Sequence, residues 1–429
     1  MLNNKILIGA GVFIILIIGV VLFFSLDGED ELIVEDVWED DWEDDWEATV
    51  TEPEEAWTDE GWESSIIKDG FHSFGDFNIA IDSKGKLHMI YDGLEGNNNV
   101  KYLYQTEGGY EKETIIEQTF GGLRSTYPDI AIGDDGVHVV YFGDEGGKEK
   151  FIYAFRDNGE WQTETDFART GIPRNGSPSI ALDDDGFVHI VYWRLVMRAG
   201  DSDLDYLTNK NKEWEKKGSE SEGGTRETLF LTVDSRGNPH ISYITREDHE
   251  RIWSSKLFYS TIERSQWKLE EIEESAFRPK GGGVLVDSDG SPRIFYSKTV
   301  EDEYGNINVL TKAVLKDGEW VVDFIETERE LRDWGSAVMD KDDQAHIAYI
   351  YYGYEGRYRW SGISYMHEQD GSWQEKVIKD TAKLEGDQEK RIDSVDLAIS
   401  NDGKAQVVYL LKDISGDDDV YTLVHLREK

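Results

Sequence analysis

One phrase recurs seven times along this chain: a short apolar run, Asp-x-x-Gly, then His-apolar-x-Tyr. It reads IAIDSKGKLHMIY at Ile79–Tyr91, IALDDDGFVHIVY at Ile180–Tyr192 and LTVDSRGNPHISY at Leu231–Tyr243. Looser copies end at Tyr141, Tyr296, Tyr349 and Tyr409, and the intervals between the tyrosines are 50, 51, 51, 53, 53 and 60 residues. Self-similarity at this period, built from short strands and turns, is the sequence form of a β-propeller.

Each copy parses into four strands. The β-branched run before Asp (Ile79–Ile81, Ile130–Ile132, Val284–Val286) fits a strand buried on both faces. Asp-x-x-Gly supplies a tight turn in which Gly is free to take positive φ. The His-x-x-Tyr segment alternates as a second, antiparallel strand. Third strands follow at Val100–Tyr104, Phe151–Phe155, Leu257–Thr261 and Ile363–Met366. Aromatic-led fourth strands carry Tyr110, Trp161, Trp214, Trp267, Trp320 and Trp373, large rings suited to the wedge between neighbouring sheets.

The seventh copy, Val395–Lys429, stops after its third strand. Its missing strand is found at the other end, where GWESSIIKD (Gly61–Asp69) matches GSWQEKVIKD (Gly371–Asp380) of the sixth copy. The expected fold is therefore an all-β, seven-bladed propeller over 60–429, its ring closed by an N-terminal strand that removes two exposed edges. An open β-solenoid, the competing architecture, would not need that displaced strand.

Ahead of the propeller, Ile6–Phe24 is nineteen uncharged residues long, enough for one membrane-spanning helix. Lys5 precedes it and acidic residues follow, so residues 1–5 are expected in the cytoplasm and the propeller outside. A cleaved signal peptide is the alternative, but no small-x-small cleavage motif follows the run. The chain has no cysteine, which excludes a lipid-modified cysteine and disulfides. Residues 25–59 read as an extended acidic stalk, since Asp27–Glu60 holds eighteen Asp/Glu and no Lys or Arg. Trp38, Trp42 and Trp46 within it either share a helical face for docking or decorate a disordered spacer. The formal net charge of −44 argues against nucleic-acid binding.

Five histidines (His88, His138, His189, His240, His346) occupy one repeat position; one per blade keeps them apart and makes them structural. No cofactor is expected. Calcium is the weak exception, at Asp183–Asp185 or Asp417–Asp419. Candidate binding residues lie where the chain enters each innermost strand. Arg124, Arg174, Arg226, Arg278, Arg332 and Arg391 fall eight or nine residues before the repeat's Asp position, on loops expected to ring one mouth of the central channel. Such a rim would grip carboxylate or sulfate in two-pronged fashion. Alternatively each arginine pairs with a carboxylate such as Asp129, Asp333 or Asp393 and staples adjacent blades. On the same face, YIYYGYEGRYRW of blade six offers Tyr351, Tyr352, Tyr354, Tyr358 and Trp360 as sugar-stacking rings, with Trp193 a smaller version in blade three. Ordinary packing of alternate residues is the competing reading.

The repeat resembles the BNR/Asp-box, sialidase-like propellers and the membrane-anchored surface propellers with tandem D-x-x-G-x-x-H-h-x-Y units. The Asp box proper spaces Ser-x-Asp-x-Gly-x-x-Trp, whereas most copies here place two residues between Asp and Gly, as in Asp234–Gly237, and carry His for Trp. The resemblance implies the propeller fold; the rim arginines echo the sialidase arginine triad, but no Tyr/Glu pair or acid is carried over. The expected function is non-enzymatic recognition of a glycan, peptide or surface protein across the loop face. A carbohydrate-active enzyme, glycosidase or polysaccharide lyase, and an envelope scaffold are the alternatives.

Overall fold

The computed structural model describes backbone at 13–17 and 20–24, and residues 59–429 except 72–75, 94–98, 116–126, 145–148, 166–177, 196–201, 211–212, 219–224, 250–251, 264–265, 276–279, 303–304, 356–357, 382–389 and 415–418. The chain divides into two units, 1–47 and 48–429. In the first, Phe13–Ile17 pairs antiparallel with Val20–Phe24. The rest of the expected membrane span, and the stalk with Trp38, Trp42 and Trp46, lie outside the described residues. Among the described residues no helix is long and apolar enough to cross a membrane.

The second unit is a propeller of seven four-stranded antiparallel sheets. Blade one is Phe77–Ile81, Leu87–Gly93, Asn99–Thr106 and Gly109–Thr114, paired in sequence order. Blade seven takes Lys390–Ile399, Ala405–Asp413 and Val420–Glu428 from the C-terminus and its outermost strand, Trp62–Phe71, from the N-terminal side. Trp62 pairs with Glu428 and Ile66 with Val424, so the displaced strand closes the ring as its sequence match to blade six requires.

The repeat phrase carries out two tasks. At the turn, Asp82 Oδ1 accepts the N–H groups of Lys84 (2.9 Å) and Lys86 (2.8 Å), and Asp183, Asp234, Asp287 and Asp340 cap their turns alike. The glycines closing four of these turns sit at positive φ, from 75° at Gly237 to 84° at Gly290, and Asp343 closes the fifth at 59°. The second Asp oxygen faces the repeat histidine, at 3.3 Å in Asp183–His189 and 3.2 Å in Asp340–His346. The other ring nitrogen meets a tyrosine hydroxyl on the third strand: His189–Tyr206 at 2.6 Å, His240–Tyr259 at 2.7 Å, His346–Tyr365 at 2.6 Å. Because the carboxylate can only accept, the neutral imidazoles of His189 and His346 donate from Nε2 and accept the tyrosine proton at Nδ1.

These tyrosines then receive the fourth-strand tryptophan of the next blade edge-on. Trp214 packs on Tyr153 at 5.1 Å, Trp267 on Tyr206 at 5.8 Å, Trp320 on Tyr259 at 5.1 Å and Trp62 on Tyr365 at 5.4 Å. Turn, histidine, tyrosine and inter-blade wedge are thus one connected device, and the histidines are structural as their spacing implies. Blade five departs from it: Arg293 pairs with Asp287 (3.5 Å) and, across the seam, with Glu368 of blade six (3.0 Å). In the closing seam Gln406 donates to Gly85 O (3.0 Å) and bonds His425 (3.0 Å), which meets Tyr110 (2.7 Å), itself bonded to Ser65 (2.9 Å) on the closing strand.

A second set of ties runs around the innermost strands. Asp396 accepts the Ile79 N–H (2.9 Å), Asn78 donates to Pro128 O (2.7 Å), Asp129 accepts the Ile180 N–H (2.9 Å) and Ser179 the Leu231 N–H (3.3 Å). In blades seven, one, two and three the same residue position therefore stitches one inner edge to the next, satisfying backbone groups that an inner sheet edge leaves open, whereas blades four and five carry Phe230 and Gly283 there.

These buried groups make stability pH-dependent. Burial holds His88, His138, His189 and His346 below the ordinary value of 6.5 and pulls His425 down to about 3. A group with a depressed folded pKa contributes fully above its unfolded value and loses that contribution as pH falls through the folded one. Asp129 acts oppositely: burial lifts it from 3.8 to about 6, so its contribution is complete below 3.8, is lost as pH rises through about 6, and offsets part of the acid loss. The urea midpoint is expected to fall as pH drops from 6.5 toward about 3, less steeply in His425→Gln. A midpoint that does not move over that window would contradict the assignment of neutral, buried imidazoles.

Candidate functional site

The Asp-x-x-Gly turns and the turns between third and fourth strands share one end of the blades. The opposite end carries the connections between second and third strands and from each fourth strand to the next blade. Function is expected at this second end, because those connections vary while the turns are fixed by the relay.

Of the six rim arginines, Arg124, Arg174 and Arg278 lie outside the described residues. Arg226 pairs in register with Thr245 at the start of Thr225–Val233. Arg332 and Arg391 are described in full. Arg332 occupies a bulge between Leu331 and Asp333 and is exposed, its guanidinium 4.6 Å over the ring of Tyr352. Arg391 is half-buried, 3.3 Å from Asp393, with its Nε buried and without a hydrogen-bond partner. Arg391 thus pairs with a carboxylate of its own strand and not across a seam, whereas Asp129 uses both oxygens on backbone N–H groups.

Two of the proposed stacking rings are corrected. Trp193 is 1 % exposed and lies edge-on to Tyr243 at 5.1 Å; Tyr351 is 2 % exposed and donates to Asp380 at 3.1 Å. Strand alternation turns both into seams between blades, so neither offers a ring to solvent. Tyr352 and Trp360 remain partly exposed. A Cβ on Gly353 would run into the Trp360 ring, so glycine there is what lets the indole lie flat on the second strand. The side chains of Tyr354 and Tyr358 fall outside the described residues.

Along the seam between blades six and seven, Arg332 lies over Tyr352, and Lys390 stands near both Lys379 and Asp413. Tyr352 and Leu411 pack against the cluster that joins the two blades, which includes Ile350, Ile363, Ile378, Ile392 and Tyr409. Lys390 and Asp413 stand 3.6 Å apart. Lys379 was not singled out from sequence. A bulge skips Ile378 in the pairing of Ser372–Asp380 with Tyr358–Gln369, which buries Ile378 and Lys379 together. Lys379 is 0 % exposed, its amine has no hydrogen-bond partner among the described residues, and burial draws its pKa from 10.5 to about 8. The signal was present in the repeated Ile-Lys-Asp of Ile67–Asp69 and Ile378–Asp380, since a bulge also skips Ile67.

Among the described residues no group of three or more metal-ligating side chains converges. Asp183, the calcium candidate, caps its turn and faces His189 and Lys210. Asp419 pairs with Lys412.

No family model matches the chain, and a search of curated proteins finds no similar sequence. Solved structures do match in fold. A PL25 polysaccharide lyase, an ulvan lyase bound to -[GlcA(1-4)Rha3S]-, superposes with TM-score 0.57 at 12 % identity, covering 83 % of this chain and 94 % of the lyase. The polysaccharide lyase Uly1 gives TM-score 0.50 at 14 % identity, covering 83 % and 90 %. At these identities the likeness is one of propeller fold.

Proposed function

We propose that the chain is a surface-displayed propeller, tethered to the membrane through the apolar segment Ile6–Phe24, that binds an acidic polysaccharide at the loop end of blades six and seven. The observation that carries this is the Arg332 guanidinium stacked on Tyr352 at the head of a seam that also holds Lys379 and Lys390, on a chain of net charge −44. A cation on an aromatic face suits a sugar with a charged substituent: the ring covers the apolar face of the pyranose and the guanidinium takes a carboxylate or sulfate. The acidic remainder of the surface repels the same ligand elsewhere, which concentrates binding at this end. The fold likeness to an ulvan lyase supports a uronate- and sulfate-bearing chain as ligand.

The test is a titration of the full-length chain in detergent with a glucuronate/3-sulfo-rhamnose oligosaccharide and with a neutral oligosaccharide of equal length. Binding of the acidic one alone is expected, weakened about tenfold in Arg332→Ala, the size of one charge-assisted contact. Equal binding of the neutral sugar would refute the cationic site.

A second reading, a polysaccharide lyase, is favoured by the two lyase likenesses. In such a reaction a base takes the proton α to the uronate carboxyl, the bond to the leaving oxygen breaks with formation of a carbon–carbon double bond, and that oxygen gains a proton. Ultraviolet absorbance of the unsaturated product separates the readings: its appearance selects the lyase, and binding without it selects recognition.

A further inference from the structure

We propose that Lys379 is the specificity-determining charge of the acidic-ligand site: a cation enclosed in the seam between blades six and seven whose counter-charge is the ligand's carboxylate or sulfate. This rests on the acidic-polysaccharide reading and adds to it the residue that makes the site select charge.

The argument begins with the bulge. In blade four the same irregularity skips Ile272 and turns Glu273 into the seam with blade five. There Glu273 accepts the Tyr296 hydroxyl at 2.5 Å and pairs with Lys298, so its charge is answered from across the seam. In the next-but-one seam the equivalent residue is Lys379, and the residues at the positions of Tyr296 and Lys298 are Tyr409 and Leu411. An apolar residue thus stands where a counter-charge would be, and among the described residues the Lys379 amine makes no hydrogen bond. A buried cation without a partner is costly and persists only where something repays it.

Asp380, next along the strand, favours the charged form but takes the Tyr351 hydroxyl on its own account. Lys390, on the innermost strand of blade seven, opposes it and lies 3.6 Å from Asp413. Tyr365 and Tyr409 are buried in the same cluster with their hydroxyls held protonated well above the ordinary value. Toward the loop end, Tyr352 pairs with Ser361, whose backbone is bonded to Thr381; the next row on that face is Ile350, Ile363 and Lys379. Lys379 is therefore one same-face step, about 7 Å, beneath the row on which Arg332 and Tyr352 sit. It does not touch the ligand; it acts through low-dielectric protein, where a charge interaction is felt more strongly than in water.

Linkage turns this into a measurement. An anion bound above Lys379 favours the protonated amine, so binding must take up a proton wherever the free protein holds Lys379 partly deprotonated. Calorimetric titration of the full-length chain with the glucuronate/3-sulfo-rhamnose oligosaccharide, in two buffers of different ionisation heat, reads this directly near pH 8. The wild type is expected to take up a fraction of a proton and to lose affinity by about fivefold as pH rises through that value. Lys379→Arg should keep the affinity and lose the pH dependence; Lys379→Met should bind about fivefold more weakly at every pH. Absence of proton uptake in the wild type, or a pH dependence that survives in Lys379→Arg, overturns the assignment even if the arginine variant alone proves unstable. Failure of the wild type to bind at any pH would instead remove the acidic-polysaccharide reading itself.

Discussion

Replacing Trp62 by alanine is expected to lower the unfolding free energy by about 3–5 kcal/mol, the range for loss of a large buried aromatic. Trp62 opens the strand that closes the ring, is 4 % exposed, and packs edge-on against Tyr365 of blade six within the cluster that joins blades six and seven. The side chain thus holds two things at once: the wedge between blades, and the displaced strand against Val420–Glu428. Without it the closing strand loses its largest apolar contact, and the edge of Val420–Glu428 becomes available to other chains. Urea unfolding followed by circular dichroism should show the lowered midpoint, with light scattering rising after the transition. A loss under about 1 kcal/mol would mean that the ring does not depend on this closure.

Lys379→Met is expected to do the reverse and raise stability by about 3 kcal/mol in the absence of ligand, the free-energy equivalent of the depressed amine pKa. The sign follows from linkage: the folded pKa, about 8, lies below the unfolded 10.5, so the penalty is complete below about 8, shrinks between the two values and vanishes above 10.5. Methionine has similar length, carries no charge and fits the apolar wall of Ile363, Ile378 and Leu411. The difference in denaturant midpoint between variant and wild type should accordingly be large at neutral pH and close as pH approaches 10.5. A variant no more stable than the wild type at neutral pH would show that the amine is already compensated. Gain of stability with loss of affinity for the acidic oligosaccharide is the pattern of a residue kept for binding rather than for folding.

Much of the architecture could be read from the repeat because a propeller blade is a local object. Its four strands are joined by short turns, and Asp-x-x-Gly, the histidine and the fourth-strand aromatic recur at fixed offsets. The long-range closure was legible too, since Gly61–Asp69 matches a strand already assigned in blade six. The candidate site was legible only in part. Arg332 and Tyr352 meet as their shared face implies, but Tyr351 and Trp193 belong to the seams, because alternation along a strand needs its phase fixed before a ring can be assigned to core or solvent. That phase depends on bulges, and a bulge between Leu331 and Asp333 sets Arg332 over Tyr352.

The amino-acid sequence by itself determined the number of blades, the strand that completes the seventh and the structural character of the repeat histidines. These follow from local turn chemistry and period. Only the tertiary structure decided which charges are answered across a seam. Glu273 and Lys379 occupy the same bulge in blades four and six, yet Glu273 meets Tyr296 and Lys298, while the matching positions opposite Lys379 are Tyr409 and Leu411. The physical reason is that burial of a charge is a property of the neighbouring blade, some thirty residues further along the chain, and enters the sequence only once the fold brings the two together.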